Sequence, residues 1–211
     1  MTDRFFESPA PIKLPEDTPL VFLEGPVQGA PDWQTPFAHR LLEAFPDIAV
    51  ASPRALAYHQ DNFASANPEV RTRTSERQVA YELLARRLAF RYGAIAMWYA
   101  AQDPTIPYPE GRAYGKTTEK EDSEVWGAMV WQPDYPFIVG VDPNYNASAA
   151  NSRGYIKRNH NLIGITEYTS LDDVFNATAE AVEYTLSVGP RPIPSLTAQS
   201  IQRALDQLDS E

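Results

Sequence analysis

A short polar stretch ahead of a predicted helix carries residue types that can act as nucleophiles. The segment Y-G-K-T-T-E-K-E-D-S-E runs from Tyr114 to Glu124 and places four carboxylates within six residues. A helix N-terminus favours the ionised form of a carboxylate, and an ionised carboxylate can attack the anomeric carbon of a sugar. Thr118 and Glu121 also fit the capping box T-x-x-E, in which the glutamate only satisfies the first turn of the helix. From these residues alone both interpretations stay open.

Composition limits the classes of protein to consider. The 211 residues are 43% hydrophobic, enough for one domain with a core, and 28 acidic against 18 basic residues give a net charge of -10. This charge argues against binding to a nucleic-acid polymer or an anionic membrane surface. With 0 cysteines and 3 scattered histidines, neither a metal nor another cofactor is expected. Because no apolar run could span a membrane and no signal peptide is recognisable, we expect a cytoplasmic protein.

Short apolar runs alternate with helical patterns along most of the chain. The runs begin at Leu20, Asp47, Gly93, Phe137 and Leu162. Helices are predicted after Asp32, from a capping box at Ser75, from about Thr118 and after Ser170. This alternation predicts an α/β, flavodoxin-like three-layer sandwich whose five-stranded, mostly parallel sheet has the order 2-1-3-4-5.

The termini differ in composition from this central region. Prolines at positions 9, 11, 15 and 19 predict that residues 1–19 form an extended arm. The domain itself is expected over residues 20–188. Residues 189–211 are predicted to be a proline linker followed by a C-terminal amphipathic helix.

The predicted strand order brings two loops to one crevice. In this fold class ligands bind at the carboxyl ends of the strands where the strand order reverses, here between the first and third predicted strands. The loop from Gly25 to Gly29 and the loop from Gln102 to Lys116 should both line that crevice. The helix start near Thr118 should point into it.

Several motifs, taken in chain order, resemble the nucleoside 2-deoxyribosyltransferase-like family. F-L-E-G-P-V-Q-G-A-P-D-W-Q, from Phe22, is similar to the family's F-L-A-G-P/S-I-x-G-x-x-x-D-W-Q. Q-V-A-Y-E, from Gln78, is similar to its Q-x-x-W-E, and the stretch from Tyr114 is similar to Y-A-x-T-S/T-R-x-E-L-G-E. The likeness runs colinearly from about Leu20 to about Phe175, and the fold it implies is the flavodoxin-like sandwich.

The resemblance also implies roles for particular residues. The family glutamate that attacks the anomeric carbon falls on Glu121, and Tyr114 is expected to hydrogen-bond this nucleophile. The nucleobase would leave from C1′, and water or a second base would resolve the glycosyl-enzyme ester. Arg54 or Lys116 would meet a 5′-phosphate. The remaining expected substrate-binding residues are Gly25, Pro26, Gln28, Gly29, Trp33, Gln34, Thr117 and Thr118.

The chain departs from the family pattern close to the expected nucleophile. Glu24 stands where the family has a small residue, and Asp122 begins a pair that replaces Leu-Gly. Two aspartates of the better-studied transferases correspond to Gly115 and Gly93 here, so other groups would have to transfer protons in the reaction. Asp103 and Glu24 are the candidates.

Three functions are consistent with these observations. The first is cleavage or exchange of the N-glycosidic bond of a (deoxy)nucleoside or nucleotide, with that small molecule as the only expected substrate. The second is a non-catalytic nucleotide-binding or sensing domain that uses the same crevice. The third is an assembly protein that uses its two terminal segments. Homo-oligomerisation is implied by the resemblance.

Overall fold

Strands and helices alternate along the chain in the computed structural model, which describes residues 4–15, 17–55, 65–108, 110–111, 113–129, 134–145, 150–192, 203 and 206. The strands of this part are β1 (Phe5–Ser8), β2 (Leu20–Glu24), β3 (Ala49–Ala55), β4 (Gly93–Tyr99), β5 (Phe137–Val141) and β6 (Glu167–Tyr168). Its helices are α1 (Gln34–Ala44), α2 (Pro68–Arg91), α3 (Lys116–Met129), α4 (Ala150–Ile163) and α5 (Leu171–Val188). The predicted α/β class with a parallel sheet is confirmed.

The sheet has six strands in the order β1-β3-β2-β4-β5-β6, and every neighbouring pair is parallel. The predicted five-stranded sheet is therefore corrected, because β1 adds a sixth strand beside β3. The first four predicted strands keep their predicted relative order as β3-β2-β4-β5. Part of the predicted N-terminal arm is the strand β1, which pairs with β3. The prolines of the arm all follow Ser8, so none of them interrupts the strand Phe5–Ser8. The predicted strand from Leu162 is also wrong. Leu162 and Ile163 end α4, where Leu162 is 83% exposed, and the strand begins at Glu167.

Alternation of side chains along the central strands divides the core between the two faces of the sheet. Leu20 and Phe22 of β2 pack with α2 and α3, whereas Val21 and Leu23 pack with α1 and α5. The same parity continues to the last residue of β2, so Glu24 belongs to the face that carries α2 and α3. Tyr99, at the end of β4, belongs to that face as well.

Two helices begin earlier than their capping patterns predict. The predicted start of α2 at Ser75 is wrong, because the helix begins at Pro68. The side chain of Asn67 caps it by accepting the Glu69 N–H at 2.9 Å. Likewise, α3 begins at Lys116, two residues before Thr118. The cap of α5 is confirmed, since Ser170 Oγ accepts the Asp173 N–H at 3.1 Å.

Most of the predicted C-terminal helix lies outside the described residues. Residues 203 and 206 of that segment are helical. Nowhere in the described ranges does a helix combine the length and the apolar character needed to cross a membrane.

Candidate active site

A cavity of about 830 Å³ opens at the carboxyl end of β2, between the loop after this strand and the N-terminal parts of α2 and α3. It is the crevice in which the two predicted loops meet. Nine of the residues predicted from the sequence line it, namely Gly25, Pro26, Gln28, Gly29, Arg54, Lys116, Thr117, Thr118 and Glu121. Its volume is in the range of cavities that bind small molecules.

Two glycines shape the loop that forms one wall of this cavity. Gly25 has φ +149°, and a Cβ there would lie 2.3 Å from the carbonyl oxygen of Trp98. Gly29 has φ +71°, and a Cβ there would lie 2.8 Å from the ring of Tyr108. Only glycine fits both the backbone angles and the space, so these residues let the main chain itself line the cavity.

Glu121 lies in the second turn of α3 and lines the cavity with a partly buried side chain. Burial raises the pKa of Glu121 well above its usual value, and the negative charges of Glu82 and Glu24 raise it further. The helix dipole acts mainly within the first turn, so it does not counter this rise. This direction is opposite to the expectation that the helix start keeps Glu121 ionised. The predicted capping box is wrong for a different reason, because α3 begins at Lys116 and Thr118 is a buried residue inside the helix.

A second carboxyl, that of Glu82 on α2, faces the same cavity. Burial raises the pKa of Glu82 to about 7. Gln78, one turn earlier, holds it in place, since its Nε2 donates to Glu82 Oε1 at 2.5 Å and to the Pro53 carbonyl oxygen at 2.9 Å. The Gln78 Oε1 accepts in turn from Ser8 Oγ. The role of Glu82 was missed from the sequence, although the i, i+4 spacing in Q-V-A-Y-E carried the signal.

A buried arginine on the same face of α2 lies behind these two carboxyls. Arg86 is 7% exposed, and its Nε donates to Glu24 Oε1 at 2.7 Å. Its Nη1 donates to Glu124 Oε2 at 2.8 Å. Burial works against the charge of Arg86, but ion pairing with Glu24 and the nearby Glu121 raise its pKa above the usual value. Arg86 therefore keeps its positive charge beside the cavity.

The other predicted site residues lie outside the cavity lining. Trp33 and Gln34 are buried in the core, 4% and 0% exposed, so we correct their predicted contact with a substrate. Tyr114 donates to the Ala100 carbonyl oxygen at 2.9 Å, which contradicts a hydrogen bond from its hydroxyl to Glu121. Asp103 accepts from the main chain and the hydroxyl of Thr105. That exposed turn lowers the pKa of Asp103, which removes it as a proton carrier for the cavity.

The expected phosphate ligands lie at the edge of the cavity. Arg54 Nε lies 3.0 Å from Asp32 Oδ1, so part of its charge is already compensated. Lys116 is exposed at the first residue of α3. A helix start also favours an anionic group near its first residues.

Asp122, the residue after Glu121, takes part in a different buried cluster on the far side of α3. His160 joins two carboxylates, with Nε2 2.9 Å from Asp122 Oδ1 and Nδ1 2.7 Å from Glu167 Oε1. Tyr99 donates to Asp122 Oδ2 at 2.7 Å, and Arg153 Nη2 lies 2.7 Å from Glu167 Oε1. Burial opposes the charge of His160, but its two carboxylate partners raise its pKa to about 9. The ring is thus held as a cation.

Within the described ranges, no group of three or more histidine, aspartate or glutamate side chains could hold a metal ion. No protein-family model matches the chain. The comparison with curated proteins returned no match either. The likeness to nucleoside 2-deoxyribosyltransferases therefore stays a prediction from motifs, and the function has to be argued from the cavity.

Proposed function

We propose that the protein cleaves or exchanges the N-glycosidic bond of a (deoxy)nucleoside or nucleotide, with Glu121 as the nucleophile. The observation that carries this proposal is the pair of carboxyls, Glu121 from α3 and Glu82 from α2, that line one cavity beside a glycine loop. Enzymes that break a glycosidic bond usually place two carboxyls at the substrate pocket.

The raised pKa values support different roles for the two carboxyls, with Glu121 as the nucleophile and Glu82 as the general acid. Burial raises the pKa values of both carboxyls, and repulsion between them means that they titrate as a unit. In the proposed reaction they share one proton. A bound sugar places its electron-poor anomeric carbon against Glu121 and favours the ionised form there. The proton then resides on Glu82, whose pKa of about 7 suits a general acid at neutral pH.

The reaction then proceeds in two displacements. The Glu121 carboxylate attacks C1′ while the bond from C1′ to the base nitrogen breaks, and Glu82 gives its proton to the departing base. The resulting glycosyl ester is attacked at C1′ by water or by a second base, whose proton returns to Glu82. Breaking the ester bond restores the carboxylate of Glu121.

Arg54, Lys116 and the helix start beside them favour an anionic group at the edge of the cavity. They support a nucleoside 5′-phosphate as a substrate, with the phosphate at the rim and the sugar deeper, near Glu121. A matched panel of nucleosides and their monophosphates tests this preference directly. A lower KM for the monophosphates is expected, and equal KM values would remove the phosphate site.

The experiment that tests the reaction is incubation of the protein with this panel, followed by chromatography for the free base. We expect release by the wild type and none by Glu121→Gln. Glu119→Gln, two residues earlier on the same helix and absent from the described cavity lining, is the matched control and should retain activity. Undiminished release by Glu121→Gln would refute the assignment of the nucleophile.

A non-catalytic nucleotide-binding domain is the second candidate. The raised pKa of Glu121 favours it, because a neutral carboxyl in a cavity can donate a hydrogen bond to a base instead of attacking a sugar. This candidate predicts saturable binding without any product. The same chromatography separates the two functions, since a free base formed in proportion to the enzyme is incompatible with a binding domain alone.

A further inference from the structure

A buried ion pair lies behind the cavity wall, and the proposed reaction does not use it. Arg86 Nε and Glu24 Oε1 are 2.7 Å apart, with both side chains almost completely buried. Neither residue is among the described residues that line the cavity. Both nevertheless act on Glu121 through their charges, Arg86 stabilising its ionised form and Glu24 opposing it.

Two features make Glu24 the main counter-ion of this arginine. A buried guanidinium needs a partner of opposite charge, and Glu24 is 1% exposed, whereas Glu124 has 66% of its side chain in solvent. An exposed partner contributes much less because water screens it. The position of Glu24 also follows from the alternation along β2, which directs this residue to the face that carries Arg86.

We propose that Glu24 is a positioning residue, which holds the Arg86 guanidinium behind the cavity and compensates its charge beside Glu82 and Glu121. This inference rests on the proposed function and identifies what tunes that site.

Charged groups from three elements face Glu121. Glu82 and Arg86 come from α2, Glu24 comes from β2, and Glu124 comes from α3 itself. With Glu24 compensating Arg86, the remaining carboxyls repel each other and retain a proton. Without the charge of Glu24, Arg86 would attract the cavity carboxyls, and both would ionise at lower pH.

Titration of the protein labelled with ¹³C at the glutamate carboxyls tests this inference without any need for turnover. Glu82→Gln and Glu121→Gln assign the two signals. In Glu24→Gln, which keeps the shape of the side chain, we expect both midpoints to fall by about one pH unit. The pH profile of base release should move to lower pH by the same amount, with a similar maximal kcat.

Two control variants separate the charge effect from a structural one. In the double variant Glu24→Gln, Arg86→Gln, neither charge is present, and the midpoints should return close to those of the wild type. In Glu124→Gln, which removes the exposed partner of Arg86, the two midpoints should move by less than half of the shift seen in Glu24→Gln. If Glu24→Gln does not fold, Glu24→Asp withdraws the carboxylate from Arg86 and should give a smaller shift in the same direction.

Midpoints that are unchanged or higher in folded Glu24→Gln would overturn the inference. This result is distinct from failure of the proposed function. If no base is released by the wild type, the titration still reports whether Glu24 controls the two carboxyls. If base is released but the titration does not respond, only the inference about Glu24 falls.

Discussion

The two neighbours Glu121 and Asp122 on α3 belong to buried clusters of opposite character. Among the described residues, the cluster of Glu121 gathers four carboxylates, including Glu82, around the single cation Arg86. The cluster of Asp122 balances two carboxylates with two cations, His160 and Arg153. The first, the open cluster, lines the cavity beside the glycine loop and has raised carboxyl pKa values. In the second, which we call the closed cluster, the charges pair with one another, although Arg153 and Glu167 also line a second cavity.

This difference is the one expected between a reactive site and a structural one. Balanced charges with short hydrogen bonds fix the position of the elements that carry them, here α3, α4 and the edge of the sheet. An excess of carboxylates costs stability and perturbs pKa values, which is typical of functional sites. In the proposed function, the closed cluster holds the helix in place and the open one carries the reacting carboxyls. Changes on the two sides of α3 should therefore affect different measurements.

After Glu121→Gln, which should abolish base release, the largest effect is expected for Glu82→Gln in the open cluster. Loss of the general acid should lower kcat/KM for base release by about 10²- to 10⁴-fold. The loss should be smaller for bases that leave readily without a proton. Glu82 has a pKa of about 7, so wild-type activity should fall above that pH, and the variant should lack this fall. An unchanged rate with a poorly leaving base would contradict the role of Glu82.

The closed cluster should instead respond in stability. Asp122→Asn leaves the cationic ring of His160 with one carboxylate and should cost about 3 kcal/mol of unfolding free energy. Denaturation by urea measures this change. Glu121→Gln, one residue earlier, removes a repelled carboxylate and should be neutral or stabilising. Equal destabilisation by both substitutions would mean that the two clusters do not differ as described.

The pH dependence of stability distinguishes the clusters as well. The folded pKa of His160, about 9, is above the unfolded value of about 6.5, so its stabilisation is complete below pH 6.5 and is lost as pH rises through 9. The loss should be about 2 to 3 kcal/mol between these values. Urea unfolding at several pH values should show it in the wild type, and His160→Gln should remove it. A variant that keeps the full decrease would show that His160 is not its source.

The smallest effect is expected for the exposed member of the open cluster. Glu124→Gln removes an ion-pair partner of Arg86 that is 66% exposed, so the cost in unfolding free energy should be below about 1 kcal/mol. Base release should change less than threefold, on the order of what a screened charge contributes. A loss comparable to that of Asp122→Asn would place Glu124 among the structural residues.

The part of the fold that the sequence predicts is the part encoded locally. The apolar runs in β2, β4 and β5 identify buried strands, and the Ser170 side chain marks the start of α5. The strand β1 could not be predicted, because its proline-rich surroundings indicate an extended arm and its partner β3 is more than forty residues away. The run at Leu162 is apolar but belongs to a helix end, since a short run does not distinguish the two.

In the candidate site, too, the features encoded locally could be predicted and those that depend on tertiary structure could not. The glycine loop and Glu121 are contiguous motifs, and the structure places both at one cavity. Glu82, Arg86 and Glu24 form one cluster only because α2 packs across the end of β2, so their shared electrostatics depends on tertiary structure. Tyr114 and Trp33 are conspicuous in the sequence for their size, but that size places them in the core.

Trapping of the covalent intermediate tests the central claim most directly. A 2-fluoro-arabinosyl nucleoside with a readily leaving base slows hydrolysis of the glycosyl ester, since fluorine destabilises the positively charged transition state. Intact mass measurement should then show one added fluorosugar per chain, and peptide mapping should locate it on Glu121. Release of the base with the adduct on another residue, or with no adduct at all, would contradict the account.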